Sequence, residues 1–455
     1  MKASYPFTIQ MNKFLFLFFS IVLIIEATAQ SITAEPASFY GLGEKSTRGH
    51  AVYDALGKNA VNVLDSGILN HNNPASYNRL SKGSTLYTLG LHSRQSWYQS
   101  GALTQFNATP MVEEFTLGFK IRKQMGLSFG LRPYSSRGYQ ITETVFTGLD
   151  SLRYNYLGKG AIQDLYLGYS FGLIEKPKTK FAIGANVSYL FGTLSNERSS
   201  TLITGASTAG GLERNSLIVR SNSIDLGTYF TQAFGKKHTL TLSAVYQPQM
   251  LLKADLLKEL YSTATINTPS SYDTVSYSNQ AFVATSAQSW QAGFAYSWKL
   301  PSYKRQTREL HPLLQLYGSF SSFGALTQNE NLITGFNQNS SEKMSFGLQF
   351  QPEYRVLENL ATLKAFEKIT YRAGYYQQSL PYLSNGAQYQ ERGLTVGFGL
   401  PLLAQVSLSS INLGLTFGQR TVSNFDWTEQ FIGARVSLIM APSNFEKWFR
   451  KRQLD

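Results

Sequence analysis

The chain has 455 residues, of which 43% are hydrophobic, 14% aromatic and only 15% charged; its formal net charge is +13 and it has no cysteine. The absence of cysteine excludes disulfides and cysteine-ligated metals, and the charged fraction lies well below the roughly 25% that is usual in soluble domains. The excess of Lys and Arg is concentrated in turns and near the C-terminus, as at Lys236-Lys237 and Lys447–Arg452, and does not follow one face, so it does not predict nucleic-acid binding.

Residues 1–29 are predicted to be a signal peptide. Lys13 precedes an apolar core from Phe14 to Ile25, and Ala27-Thr28-Ala29 then supplies the small-x-small pattern of a cleavage site. The core is too short for a membrane span, which needs about 20 apolar residues. We therefore expect the protein to be exported.

The stretch 30–82 is polar, rich in turn residues and without a sustained helical or strand period. It contains Gly41-Leu42-Gly43 and later Asn73-Pro74-Ala75. Alone, such a segment would not bury enough apolar surface to compensate for the loss of chain entropy. We predict that it is an N-terminal hatch, ordered only because the following strands surround it.

From residue 83 to 440 the hydropathy alternates with period two, as in Met344–Gln351 and Ile411–Gly418. Strict alternation marks strands with two unlike faces. A soluble β-sandwich or propeller would show the same period, but the signal peptide, the low charge and the aromatic excess favour a membrane barrel. The sequence therefore predicts an all-β fold, a transmembrane antiparallel β-barrel of about 14 strands, with residues 441–455 as a periplasmic tail. The predicted strands are 83–94, 111–121, 125–146, 151–173, 179–195, 214–233, 237–252, 284–299, 309–325, 342–355, 367–379, 390–401, 406–419 and 429–440.

The connections between these strands are expected to differ at the two ends of the barrel. Short basic turns at 122–124, 174–178, 234–236 and 300–308 are typical of the periplasmic end. Longer polar stretches, predicted to be extracellular loops, are 95–110, 196–213, 253–283, 326–341 and 380–389. The stretch Met250 to Leu260 places leucines on one helical face, which slightly favours a loop helix over an irregular end of strand seven. A second short helix is predicted within 359–368.

The register of the last strand predicts where its side chains point. Arg435 should face the lumen with Gly433 and Ser437, whereas Ala434 and Val436 should face lipid.

A Gly-Leu-Gly followed by Asn-Pro-Ala immediately before the first strand resembles the hatch of the FadL-like long-chain fatty acid transporter family. Tyr371–Tyr376 is similar to a late-strand Arg-x-Gly-Tyr pattern of that family. The resemblance implies the outer membrane of a Gram-negative bacterium, insertion by the barrel assembly machinery, and passive passage of a hydrophobic or amphipathic small molecule or lipid. It makes the hatch residues the candidate site, although Asn-Pro also begins ordinary turns. These residues are Gly41, Leu42, Gly43, Asn73, Pro74 and Ala75.

The third predicted strand, 125–146, is overlong and is interrupted between Arg132 and Gly138. Pro133 cannot donate to a strand ladder, and a glycine such as Gly138 often marks a bulge or bend. An ordinary bulge or an early end of the strand would explain these residues. The resemblance implies instead an inward kink that opens the barrel wall laterally, with Pro133 and Gly138 as the candidate opening.

No catalytic, nucleotide or metal site is predicted. Ser93 follows His92, but neighbours along one strand point to opposite faces, and Glu113, Glu114 and Asp164 look like isolated carboxylates in the lumen or loops. The chain has neither a Gly-x-Ser-x-Gly elbow nor a phosphate-binding glycine loop, and no two of its histidines have ligand spacing. We therefore expect no enzyme activity and no cofactor. The alternative function is that of a barrel which transports nothing and is a component or partner of a protein secretion or surface-attachment complex.

Processing at Ala29 would leave Gln30 as the mature N-terminus. Intact-mass measurement of membrane-extracted protein should give the mass of residues 30–455, with or without loss of ammonia from Gln30. Retention of residues 1–29 would contradict the export argument.

Overall fold

The computed structural model describes residues 36–46, 49–81, 85–146, 148, 150–203, 210–263, 272–305, 308–355, 363–384, 386–402, 409–423 and 426–441. The predicted signal peptide and residues 442–455 lie outside this part of the chain. The N-terminal segment has four short elements. They are the 3-10 turn η1 (Pro36–Phe39), strand β1 (Glu44–Lys45), helix α1 (Ala51–Ala55) and the 3-10 turn η2 (Pro74–Arg79).

Twenty further strands and one short helix follow. The strands are β2 (Thr85–Ser100), β3 (Leu103–Arg122), β4 (Met125–Ser136), β5 (Tyr139–Phe146), β6 (Ser151–Glu175), β7 (Thr179–Ile203), β8 (Gly210–Phe234), β9 (His238–Gln247), β10 (Met250–Thr263), β11 (Tyr272–Ser286), β12 (Ser289–Lys299), β13 (Tyr303–Arg305), β14 (Arg308–Leu310), β15 (Leu313–Phe323), β16 (Leu326–Gln328), β17 (Ser341–Gln351), β18 (Thr370–Ser384), β19 (Ala387–Pro401), β20 (Ser410–Thr421) and β21 (Trp427–Met440). Helix α2 (Ala365–Lys368) lies within the stretch 359–368, where a short helix was predicted.

The strands form a closed antiparallel barrel of 14 wall strands. Closure is by β21 and β2, which pair from Ser100 with Trp427 to Tyr87 with Met440. Four wall strands consist of two segments each, namely β4 with β5, β9 with β10, β11 with β12, and β15 with β16. Among the described strands, β13 and β14 pair only with each other. The predicted all-β barrel of about 14 strands is therefore confirmed.

The two faces of the wall differ as the alternation predicts. Along β21, Gly433, Arg435 and Ser437 are buried, whereas Val436 is only half-buried on the opposite face, so the predicted facing of Arg435 is confirmed. Large apolar side chains are exposed on the outer face, which is the surface that a barrel presents to lipid. They include Leu165, Leu167, Val187, Leu242, Phe294, Leu316, Phe346, Leu394, Phe398, Phe417 and Ile432.

The end of the barrel with the short β3–β4, β6–β7 and β8–β9 connections is here called the turn end; the opposite end is the loop end. Four of the five stretches predicted to be loops at the loop end are largely strand, and one of them is 380–389, where β18 extends to Ser384 and β19 begins at Ala387. Strands β7 and β8 extend to Ile203 and from Gly210, β10 and β11 fill much of 253–283, and β2 and β3 are separated only by Gly101 and Ala102. The loop prediction was wrong because many side chains of these segments are exposed on both faces, as in β11, so hydropathy carries no alternation there.

The helix slightly favoured over 250–260 is also wrong, since this segment is β10 and pairs with both β8 and β11. Leu252 and Leu256 are four residues apart, a spacing that fits one face of a helix and also one face of a strand. The structure buries Leu252, Ala254 and Leu256 together, which is the period of a strand.

We call β5, β10, β11 and the loop-end halves of β6, β7 and β8 the extension.

No helix among the described residues is long and apolar enough to cross a membrane.

The facing of β12 gives a test of the wall. Phe294 is 43% exposed on the outer face, whereas Gln291 of the same strand lines an internal cavity. An arginine facing lipid near the midplane costs roughly 2–4 kcal/mol. Phe294→Arg should therefore reduce the amount of folded barrel in the membrane, measured by heat-modifiable gel mobility, far more than Gln291→Arg does. Equal loss in both variants would contradict the assigned faces.

Candidate functional site

The Asn73-Pro74-Ala75 segment begins η2 and seats the hatch on the wall. The Asn73 side-chain oxygen accepts a hydrogen bond of 3.1 Å from the N–H of Ala75, which caps the turn. Pro74 lies against Gly184 and Gly227, which are direct partners across β7 and β8. A Cβ atom on Gly184 would lie 2.5 Å from the carbonyl carbon of Pro74, so glycine is required there for this contact.

The Gly41-Leu42-Gly43 segment lies elsewhere, at the loop-end side of the hatch. Gly41 and Gly43 have positive φ angles of 55° and 82°, a conformation that glycine adopts without strain. Leu42 is buried in an apolar cluster with Tyr134 of β4, and the carbonyl of Gly43 accepts a hydrogen bond of 3.1 Å from Tyr382. The two predicted hatch motifs are therefore not one site: they anchor opposite parts of the hatch.

Wall strand three, made of β4 and β5, departs from the wall between Arg132 and Gly138. Strand β4 pairs with β3 only as far as Leu131, opposite Phe115, and all residues from 132 to 139 are buried. Hatch strand β1 lies beside this segment in place of β3, pairing with Ser135 and Ser136. On the other side the pairing with β6 continues, with one irregularity after Pro133.

Pro133 and Gly138 thus both belong to the inward segment. Pro133 lines an internal cavity, and the N–H of Gly138 donates to Ser38 Oγ of the hatch at 3.1 Å. The loop-end half of β3, residues 103–114, pairs with β2 and has no partner on its other side among the described strands. We call the space between this half of β3 and wall strand three the window.

The cavity has a volume of about 230 Å³ and lies between the hatch and the loop end. Thr109 and Met111 of β3, together with Pro133 and Ser136, line it, so the cavity reaches the window. Towards the loop end, the connection after β16 packs on the wall through Phe336, whose ring meets that of Phe282 edge-on at 4.8 Å.

Towards the turn end, the lumen is filled by the hatch. Val52, Leu56, Leu69 and Tyr77 are almost completely buried in one apolar cluster that includes wall side chains. Tyr77 also donates a hydrogen bond of 2.8 Å to Asn186 of β7. A solute in the cavity would therefore meet the hatch along the barrel axis and the window at the side.

The cavity is lined by charged side chains of both signs, many of which form ion pairs. Glu44 of the hatch contacts Arg420 at 3.0 Å and Arg94 at 3.3 Å. Arg94 also contacts Glu429 of β21 at 2.6 Å. Burial strengthens such pairs because the surrounding dielectric constant is low.

Two further hatch charges are held by the wall. Asp54 of α1 pairs with Arg435, which also pairs with Glu113 of β3. Lys58 pairs with Glu391 of β19 at 2.7 Å. Its φ angle is 57°, in the left-handed region that non-glycine residues seldom adopt. Together with Glu44, these residues form what we call the latch, in which the hatch charges are Glu44, Asp54 and Lys58.

A bulge in β3 explains why two neighbouring carboxylates both point inward. The register with β2 shifts between Gly90 and Leu91, so that Glu114 lies opposite Gly90 and Val112 opposite Leu91. Glu113 and Glu114 are consequently both only 3% exposed, and Glu114 lies 3.1 Å from His71 Nδ1 of the hatch. The bulge lies next to Phe115, where the pairing between β3 and β4 ends and the window begins.

The sequence indicated isolated carboxylates, and this is wrong for Glu113 and Asp164. Glu113 pairs with Arg435, and Asp164 pairs with Arg132 at 2.9 Å, where the inward segment begins. In the sequence, the inward register positions of each strand indicate which charged side chains face the lumen, but they do not indicate which of them pair.

His50 holds the start of α1. Its Nδ1 atom accepts a hydrogen bond of 3.1 Å from the N–H of Val52, which requires an unprotonated nitrogen. Burial, together with the positive charges of Arg372 and Arg435, lowers the pKa of His50 to about 3. The ring is therefore neutral at physiological pH and serves as a helix cap. In the described residues, no group of three His, Asp or Glu side chains is arranged to hold a metal ion.

Comparison with known families gives one match over almost the entire chain. The model of the family described as BamG matches residues 11–455. No curated protein matches the chain.

Solved structures similar to the chain include a Pseudomonas aeruginosa FadL homologue, with 12% identity over 89% of this chain and 99% of the homologue, and a TM-score of 0.49. The Pseudomonas putida toluene transporter TodX has 14% identity, with coverage of 88% and 100% and a TM-score of 0.48. The monoaromatic hydrocarbon channel CymD has 13% identity, with coverage of 84% and 94% and a TM-score of 0.45. The FadL-like family that the sequence resembles is thus represented among them.

The latch can be weakened from the hatch side alone. In the double variant Asp54→Asn/Lys58→Gln, Arg435 keeps Glu113 and Glu391 keeps Arg420, so the wall should still close. Removing one partner of a buried pair costs roughly 3–5 kcal/mol, and the remaining wall partners should reduce this cost. We expect the hatch to leave its seat more often, which should appear as frequent conductance steps in planar bilayers.

The control for this variant is Arg214→Gln, which removes a pair with Glu197 on the half-exposed part of the extension. This change should leave the conductance unchanged. A double latch variant as silent as the unmodified barrel would contradict the role of these pairs.

Proposed function

The chain belongs to the BamG family, and on that premise we propose that it is an outer-membrane barrel of a Gram-negative bacterium that passes hydrophobic or amphipathic small molecules passively through its wall. The observation that carries the proposal is the inward turn of wall strand three at residues 132–138, which leaves β3 unpaired beside an internal cavity. The solved structures of similar architecture are described as FadL or hydrocarbon channels, and the proposal agrees with what those proteins are named for.

The chemistry on the two sides of the window favours an amphipathic molecule. On the outer face, Val112 and Leu131 next to the window are 65% and 41% exposed and would contact an apolar chain in the lipid. On the inner face, Thr109 and the charged side chains of the latch border the cavity and would contact a polar head group. A purely apolar molecule would have to displace water from these charges without replacing their hydrogen bonds.

The positions of the window and the hatch determine which route of a transported molecule requires the hatch to move. A molecule in the cavity could return to the lipid through the window without any movement of the hatch. Passage towards the turn end would require the hatch to shift, because its apolar cluster fills the lumen. We therefore propose lateral exchange as the basic activity, with axial passage only when the latch opens.

A variant that closes the window tests the transport proposal. Residues 133–138 are replaced by an alternating, proline-free strand segment that continues the register of β4 towards β5. Uptake of a hydrophobic fluorescent probe by cells should fall severalfold, while heat-modifiable mobility stays normal.

The matched control replaces Pro248, which lies between β9 and β10 of wall strand seven, by threonine. This substitution alters another interruption of the wall that is not part of the window, and uptake should remain normal. Unchanged uptake in a folded window variant would contradict the lateral route.

A second candidate is a barrel that transports nothing and is a partner in a larger complex. The name of the BamG family hints at a link to the barrel assembly machinery, and the extension presents exposed apolar side chains such as Phe146, Val275 and Tyr277. A native mass spectrum of gently purified protein distinguishes the candidates. Bound lipid favours transport, whereas stable association with an assembly, secretion or surface-attachment complex favours the second.

A further inference from the structure

Strand β5 is an open edge of the extension. It pairs with β6 from Tyr139, opposite Gly158, to Phe146, opposite Ser151. No described strand pairs with its other side. Residues 140–146 are all exposed, so neither face of this strand is covered by the described part of the protein.

The hydrogen bonds just before β5 show which of its backbone groups point to the open side. The N–H of Arg137 donates to the carbonyl of Gly160 on β6 at 2.9 Å, whereas that of Gly138 donates away from β6, to Ser38 Oγ. The register with β6 is unbroken from Ser135 to Phe146. Because hydrogen bonding alternates along an antiparallel ladder, every second residue points its N–H and C=O to the open side. These residues are Gln140, Thr142, Thr144 and Phe146.

The edge of β3 across the window is protected, and the edge of β5 is not. The N–H of Ala108 donates to its neighbour Asn107 Oδ1 at 2.8 Å, and two residues further on Pro110 has no N–H to donate. Proteins commonly protect exposed strand edges by proline, lysine or bulges. Strand β5 contains neither proline nor lysine and is rich in β-branched residues, so its exposed donors and acceptors can accept another strand.

We propose that the open edge of β5 is a docking site for an extended segment of a partner protein, which joins the extension as an additional strand. Backbone groups spaced along such an edge are satisfied by another strand, as in other cases of β-strand addition. Glu143 is the only charged residue of β5, so the segment is expected to place a Lys or Arg opposite it. Two copies of β5 in full antiparallel overlap would bring their Glu143 side chains together, which disfavours self-pairing. Because β5 borders the window, the docked segment would occupy the part of the window beside β5, and the proposal goes beyond the transport function without depending on it.

Amide hydrogen exchange resolved to single residues tests the proposal. Three samples are compared, namely intact outer membranes, detergent-purified protein, and purified protein in vesicles of extracted outer-membrane lipid. The amides of Gln140, Thr142, Thr144 and Phe146 should exchange at least about tenfold more slowly in intact membranes than in the other two samples. Those of Ile141, Glu143 and Val145, which already bond to β6, should be equally protected in all three.

Every other outcome identifies a different occupant of the β5 edge, or none, and overturns the proposal. Equal exchange in all samples would mean that nothing docks. Protection in the lipid vesicles would identify lipid as the occupant. Protection that rises with the concentration of purified protein would identify a second copy of the chain.

Thr144→Pro makes the test specific, because it removes an outward N–H without touching the ladder to β6. This variant should lose the protection of Gln140 and Thr142 in intact membranes. The control is Asn279→Pro on β11, at the opposite edge of the extension. The carbonyl of Val283, four residues further along β11, bonds away from β10, so the N–H of Asn279 also points away from that strand. This change should leave the protection of Gln140 and Thr142 unchanged. If Thr144→Pro does not assemble, Thr142→Pro serves in its place. Protection that persists in a folded β5 variant would overturn the proposal.

Discussion

The structure depends on the contact between a hatch that cannot fold alone and a wall that supplies its counter-charges. Glu44, Asp54 and Lys58 of the hatch are each paired with wall residues inside the barrel. A buried charge without a partner is strongly unfavourable, so these pairs fix where the hatch can lie. Packing adds to this constraint, because Pro74 fits only against the glycines of β7 and β8. The position of the hatch in turn decides where the lumen is filled and where it is open.

The same contact joins the hatch to the window. Strand β1 contains Glu44 and lies beside the inward segment in the place that β3 would take in a regular wall. Arg435, which holds Asp54, also holds Glu113 in the β3 bulge. Movement of the hatch therefore acts on both borders of the window through direct contacts. Such contacts are what a gate would require.

The sequence predicted what depends on local patterns and missed what depends on distant pairing. The strand number and the facing of Arg435 follow from alternation along single strands. The parts of the extension in 196–213 and 253–283 were missed because β11 is exposed on both faces, and Leu252 and Leu256 fit both a helix and a strand. The latch joins residues from opposite ends of the chain, such as Asp54 and Arg435. No spacing in the sequence brings them together before the barrel closes.

In the proposed function, the lumen is closed along its axis by the hatch and open at its side through the window. The most direct measurement is photolabelling by an amphiphile with a diazirine in its alkyl chain near the head group, followed by mass mapping of the adducts. We expect adducts on the cavity side of the window, at Thr109, Met111 and Ser136. Adducts confined to the outward residues Phe129 and Leu131, with none on the cavity side, would contradict it.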